Sequence, residues 1–172
     1  MLNKPKNLAF IGVCTALAMV LSYVEVMLPP LFPAIPGIKM GLPNIIIVFL
    51  LYRGGPLFAV IVSLLRVTMV SMLFGNLMVF IYSLAGAILS LLVMILLSRL
   101  NCFSTVGVSV SGGVSHNAGQ ILMAMLLLET SELGYYMIVL VITGTLSGML
   151  IGFCGAALIK RIPLNILNKT YK

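Results

Sequence analysis

Hydrophobic residues in this chain are grouped in long runs that short polar or proline-rich segments separate. A helix needs about 20 apolar residues to cross about 30 Å of hydrocarbon, and most of the runs approach or reach that length. The second run is much shorter, so it predicts a broken or tilted half-span. The pattern predicts six spans, over residues 8–28, 44–52, 56–74, 77–98, 103–128 and 135–159.

The composition identifies the solvent of this surface. Of all residues, 62% are apolar and only 8% are charged. A soluble domain needs a charged surface, so lipid is the expected surrounding of most of the chain. We expect one all-α integral membrane domain over 1–172, a six-helix bundle in the cell membrane. The first run could instead be a signal peptide after Lys4 and Lys6, but the long apolar run ending near Glu25 favours a retained span.

Positive charges alternate with the predicted spans. With the N-terminus in the cytoplasm, most basic residues fall on the cytoplasmic side, whereas Glu25, Lys39, Glu129 and Glu132 fall outside. Both termini are therefore predicted to be cytoplasmic. The net charge of +7 then reflects topology, and no basic groove with interleaved aromatics predicts nucleic-acid binding. The cytoplasmic set is Lys4, Lys6, Arg53, Arg99, Lys160, Arg161, Lys169 and Lys172.

The fifth span carries the sequence GGVSHNAGQ, residues 112–120, among apolar neighbours. Polar and glycine positions recur there every three or four residues, which places them on one helix face. Polar side chains cannot face lipid, so this face must meet the bundle interior or a wet cavity. Two interpretations stay open: hydrogen bonds that join helices, and a ligand site. The face contains Ser109, Gly112, Gly113, His116 and Gln120, with Asn117 beside them.

Two cations add to this candidate site. Arg66 lies within the third span, where a guanidinium needs a partner or water. The chain contains no Asp, so unless Arg66 extends to the interface or faces water, its candidate partners are Glu25 and an anionic ligand. Lys39 lies in the proline-rich segment 29–44, which cannot be one continuous helix and predicts an ordered outer loop or re-entrant segment. It is either a solvated loop lysine or a ligand contact.

Small residues spaced by four form two rows in the first span. Gly12 and Ala16 form one row, and Cys14, Ala18 and Ser22 form the other. Such rows allow close helix packing, either within the fold or against a partner protein. We expect Gly12, Ala16 and Ala18 to be candidate partner contacts.

Catalysis and metal binding are not expected. The three cysteines predict no disulfide, and a lone His without acidic neighbours is a poor metal ligand. Prenyl diphosphate synthesis uses paired aspartates to hold Mg²⁺, and no Asp is present. The sequence also lacks a phosphate-binding loop for ATP, so any energised transport requires other subunits. We expect no enzyme activity and no cofactor.

Four segments together resemble the Gx transporter family, whose members often carry the label heptaprenyl diphosphate synthase component I. They are PGIKMGLPN, the Arg of the third span, SLAGAILSLLVM of the fourth span and GVSVSGGVSHNAGQ of the fifth. The resemblance covers about residues 15–152. The family is related to the substrate-binding S components of energy-coupling factor (ECF) transporters.

The resemblance implies a six-helix bundle with a ligand site that opens to the outer face, under the loop between the first two spans. It also implies partners, a transmembrane coupling protein and cytoplasmic ATPase subunits. We expect a subunit that binds a small anionic solute; the alternative is a noncatalytic membrane component of polyprenyl diphosphate synthesis. The positions that match the family motifs, and that we assign to the site, are Lys39, Asn44, Arg66, His116, Asn117 and Gln120.

Overall fold

A computed structural model describes residues 5–27, 41–100 and 102–162. The regular structure of these ranges is entirely helical, which confirms the predicted all-α membrane bundle with a short second helix. The helices are α1 (Pro5–Met27), α2 (Asn44–Arg53), α3 (Pro56–Phe74), α4 (Leu77–Arg99), α5 (Thr105–Leu128) and α6 (Met137–Arg161), with a short 3₁₀ helix at Glu132–Tyr136 before α6.

The helix bounds differ from the predicted spans by a few residues. Helices α2, α4 and α6 continue to Arg53, Arg99 and Arg161, because a basic side chain suits the negative end of the helix dipole and can extend to the interface. Helix α5 begins later than the predicted 103–128 span, because the side chain of Ser104 caps it by accepting from the N–H of Gly107 at 3.1 Å.

Four helices among the described residues are long and apolar enough to cross a bilayer: α1, α3, α4 and the segment Glu132–Arg161 that contains α6. Helix α5 has 24 residues, enough to span, but it is less apolar because it carries the face of polar residues and glycines between residues 109 and 120, here named the polar stripe. Large hydrophobic side chains such as Leu92, Leu96 and Leu126 are exposed on the outside of the bundle, where lipid solvates them. The chain is a membrane protein.

Interhelical contacts define two ends of the bundle. Rings at matching positions pair α1 with α3, Phe10 with Phe58 near their starts and Tyr23 with Phe74 near their ends, so these helices run parallel. The end at which α2, α4 and α6 finish is here named the basic end, and the opposite end, where α5 finishes before Glu132, the acidic end. The assignment of the basic end to the cytoplasm stays a prediction.

Helix α2 is the core of the bundle, since its residues from Ile46 to Leu51 are all buried. It has only 10 residues, so it is about 15 Å long and covers half the thickness of the bilayer. At its finish, the Arg53 guanidinium donates to the carbonyl oxygen of Ile159 at the end of α6. Helix α2 therefore fills the basic half of the bundle, and its first residue, Asn44, lies short of the acidic half.

Glycines bring α4, α5 and α6 unusually close together. A Cβ added at Gly148 of α6 would lie 2.6 Å from the Cα of Val110, and one added at Gly113 of α5 would lie 2.7 Å from the carbonyl oxygen of Gly144. A Cβ at Gly119 would meet the backbone of α4 at 2.9 Å. Backbone therefore packs on backbone along α5, which is the pattern of small residues at membrane helix interfaces.

Candidate functional site

A polar cavity lies beyond the start of α2, in the space that this short helix leaves open. Its volume is about 70 Å³, and every one of the six helices contributes to its wall. This volume holds a few water molecules or one small ion, because a water needs about 10–15 Å³ by the same measure. The polar lining consists of Ser22, Glu25, Gly41, Asn44, Arg66, Ser71, Ser83, Gly113, His116, Asn117, Gln120 and Ser147.

Helix α5 contributes one complete wall of this cavity. His116 and Gln120 pack over Gly86 of α4: an added Cβ there would lie 2.8 Å from the Cγ of Gln120 and 3.2 Å from the Cε1 of His116. The predicted polar face is divided, however. Ser109 faces α6, and Gly112 faces Met94 of α4, so these two positions serve packing rather than the cavity.

Asn117 has a place in both interpretations of the polar stripe. It lines the cavity, and its Nδ2 donates to the carbonyl oxygen of Leu140 on α6 at 2.9 Å. A second interhelical bond, from the hydroxyl of Ser90 to the carbonyl oxygen of Gly112 at 2.8 Å, joins α4 to α5. Helix-joining hydrogen bonds and cavity lining are therefore both present on this face.

Arg66 reaches the cavity from the middle of α3. Its Nε is buried and has no hydrogen-bond partner among the described residues. Glu25 of α1 also lines the cavity and lies near enough to attract the guanidinium. The two explanations proposed for Arg66, a partner in Glu25 and an anionic ligand, thus meet in one site.

Glu25 and Asn44 connect the cavity to the start of α2. The Oε1 of Glu25 accepts a hydrogen bond from the backbone N–H of Gly41, which has a left-handed φ of 75°. The carbonyl oxygen of Gly41 accepts from the N–H of Asn44 at 2.8 Å. An added Cβ at Gly41 would lie 3.3 Å from the Nδ2 of Asn44, so glycine fits this turn for both conformation and space.

The remaining predicted residues divide into three cases. Lys39 lies outside the described residues. Gly12 and Ala16 are exposed on the outer face of α1, and a Cβ at Gly12 would meet nothing within 4 Å. Ala18 is fully buried, so its assignment as a partner contact is wrong: the row of Cys14, Ala18 and Ser22 packs inside the bundle.

Several cavity residues are not among those that the sequence assigns to the site. Apart from Gly41, which precedes α2, they are serines on four helices, α1, α3, α4 and α6. Ser83 and Ser147 carry one usable signal, since each lies in a run of small residues spaced by three or four that includes Gly86 or Gly144. Such a run marks an interior face but does not say whether the face packs or lines a cavity. The missed set is Ser22, Gly41, Ser71, Ser83 and Ser147.

The site is suited to binding by hydrogen bonds and charge. It offers a guanidinium, an imidazole and three carboxamide side chains, set in an apolar bundle where such contacts are little weakened by water. Within the described residues, no group of three His, Cys, Asp or Glu side chains could hold a metal ion. The fold and the site define a helical membrane protein with a polar cavity in the acidic half of the bundle.

The family model described as heptaprenyl diphosphate synthase component I matches residues 14–158. The chain belongs to this family. No curated protein and no solved structure matches the chain.

Proposed function

We propose that this protein is the substrate-binding membrane subunit of an ECF-type transporter in the cell membrane, and that its cavity binds a small anionic solute. The observation that carries the proposal is the buried Nε of Arg66, a donor without a hydrogen-bond partner among the described residues, in a cavity within an apolar bundle. Buried donors require acceptors, and an anion supplies the strongest ones.

The surroundings of Arg66 favour the same kind of ligand. Helix α2 begins at Asn44 on the cavity wall, so the positive end of its dipole is directed toward the bound solute. Gln120 and Asn44 can donate further hydrogen bonds through their amide groups. A solute larger than a few water molecules requires the walls to move apart, as expected of a subunit that takes up and releases its substrate.

The exposed row of Gly12 and Ala16 provides the proposed contact with a coupling protein. Exposed small residues let another helix approach the backbone of α1 closely. The chain has no ATP-binding loop, so the ATPase subunits would act through that coupling protein. On this proposal the protein is not an enzyme.

Mass spectrometry of the small molecules that copurify with the protein tests the proposal. We expect a small acid or phosphate ester with the unsubstituted protein and at least tenfold less of it with Arg66→Gln, since a hydrogen bond to a charged group contributes about 1.5–3 kcal/mol. Arg99→Gln is the matched control, because it removes an exposed positive charge at the basic end. Equal recovery from the three proteins would contradict an anionic site at Arg66.

A second candidate is a noncatalytic membrane component of heptaprenyl diphosphate synthesis. The family description favours it, and so does a largely apolar groove of about 380 Å³ between α3 and α4. Ser71 lines both the groove and the polar cavity, so a diphosphate at Arg66 could leave its prenyl chain in the groove. The groove is formed by Thr68, Ser71, Met72, Gly75, Asn76, Leu77 and Phe80.

The dependence of binding affinity on the length of the prenyl chain distinguishes the two candidate functions. A prenyl chain in the groove should tighten binding at each added isoprene unit, because each buried CH₂ contributes about 0.8 kcal/mol. Affinities for inorganic diphosphate and for short prenyl diphosphates in detergent measure this directly. Equal affinity for all of them would exclude the groove and leave the small solute.

A further inference from the structure

Glu25 is an acidic residue in a cavity proposed to bind an anion. Its carboxylate lines the cavity, attracts the guanidinium of Arg66 and accepts the N–H of Gly41. A negative charge in the same cavity wall as Arg66 opposes an anionic ligand, both by repelling it and by attracting the same cation. A site built only for tight binding of an anion would not carry this residue.

We propose that Glu25 is a built-in competitor of the ligand, which an acidic group of the solute displaces from Arg66. The inference rests on the proposed function. In the protein without ligand, Glu25 neutralises Arg66, so that the guanidinium is not left as an isolated charge in the bundle. When the solute binds, its acidic group takes over Arg66, and Glu25 is driven away by like-charge repulsion. Glu25 thereby lowers affinity and allows release, which a transport cycle requires.

The competition also connects the ligand to the backbone at the start of α2. Displaced Glu25 no longer accepts the N–H of Gly41, and the carbonyl oxygen of that same glycine holds the N–H of Asn44. Asn44 itself lines the cavity. Exchange of partners at Arg66 therefore loosens the Gly41–Asn44 turn, which leads into α2 at the cavity wall.

Glu25→Gln tests the competition, because it removes the charge but keeps an oxygen that can accept from Gly41. An internal competitor that holds the site nine-tenths of the time weakens apparent affinity about tenfold, so Glu25→Gln should bind inorganic phosphate about tenfold more tightly than the unsubstituted protein. Isothermal titration calorimetry in detergent micelles measures this. Glu132→Gln, which removes an exposed glutamate outside the cavity, should change nothing.

The outcomes separate this inference from the proposed function. Weaker phosphate binding in Arg66→Gln, together with unchanged or weaker binding in Glu25→Gln, would overturn the competitor and leave the anionic site standing. Equal phosphate binding by the unsubstituted protein and Arg66→Gln would overturn both.

Amide hydrogen exchange at Gly41 gives a second test that needs no substitution. Saturating phosphate should speed exchange of this N–H severalfold in the unsubstituted protein, because its acceptor is displaced. Exchange at Gly55, at the opposite end of α2, is the internal control, since its N–H donates to the carbonyl oxygen of Leu50 at 2.8 Å. Unchanged exchange at Gly41 with phosphate bound would overturn the displacement of Glu25.

Discussion

The cavity has two kinds of wall. On the side of α4, α5 and α6, glycines bring backbone against backbone, and an added methyl group would clash. On the side of α1, α2 and α3, side chains hold the structure: Glu25 contacts Gly41 and attracts Arg66. Backbone contacts change only when helices move, whereas side chains can exchange partners. We therefore expect substitutions on the first wall to change the fold and those on the second to change the ligand.

The largest effect is expected at Gly148, in the backbone-packed wall. Gly148→Val places its Cβ 2.6 Å from the Cα of Val110, which cannot move without separating α5 from α6. Overpacking of this kind should cost about 3 kcal/mol. In detergent, the melting temperature should fall by about 10 °C.

Gly12→Val is the matched control, because nothing lies within 4 Å of an added Cβ at Gly12 and its surface is exposed. It should melt within a few degrees of the unsubstituted protein. Equal losses in the two variants would mean that glycine contributes only helix propensity and that the two walls do not differ in the way described.

The next effect separates the two small-residue rows of α1. Ala18→Leu should lower stability by about 1–3 kcal/mol, because Ala18 is fully buried in the bundle. Ala16→Leu should leave stability unchanged and instead weaken copurification with a coupling protein. Thermal unfolding and pull-down of both variants check this, and retained association in Ala16→Leu would remove the proposed contact surface.

Smaller effects are expected within the polar stripe of α5, where Asn117 should contribute to stability and His116 and Gln120 to ligand binding. Asn117→Ala loses the bond to the carbonyl oxygen of Leu140 and should lower stability by about 1 kcal/mol. His116→Ala and Gln120→Ala should weaken binding of the copurified solute by roughly tenfold each, as loss of a neutral hydrogen bond implies. Melting temperature and affinity, measured on the same samples, reveal this division. Affinity losses that merely follow unfolding would reduce the whole stripe to helix packing.

Much of the fold could be predicted from the sequence, because lipid requires long apolar helices and places polar groups inside. The short second helix and the interior position of His116 follow from run length and spacing alone. The helix ends were less predictable. Arg53 ends the hydrophobic run and so predicts a span that stops before it, although the helix includes Arg53 and its side chain donates to the carbonyl oxygen of Ile159.

The cavity was only partly predictable, because its lining depends on how helices pair. Spacing on α5 indicated one polar face, but only the neighbours of Gly112 and Ser109 show that half of this face packs tightly. Glu25 and Gly41 come together across 16 positions of sequence, a contact that no local pattern encodes. Likewise, Ala16 and Ala18 lie on different faces of α1, and only Ala18 is buried. Spacing by four identifies both rows of small residues, but it does not show which row faces the bundle interior.

The affinity of Arg66→Gln for the copurified solute, measured by calorimetry beside the melting temperature of the same sample, tests the central claim most directly. We expect affinity to fall by about ten- to a hundredfold, since the charge-assisted bonds of a guanidinium are lost. The doubly neutral variant Glu25→Gln/Arg66→Gln should melt within a few degrees of the unsubstituted protein, because replacing both charges of an internal pair is often neutral. Unchanged affinity in Arg66→Gln would contradict an anionic site in this cavity.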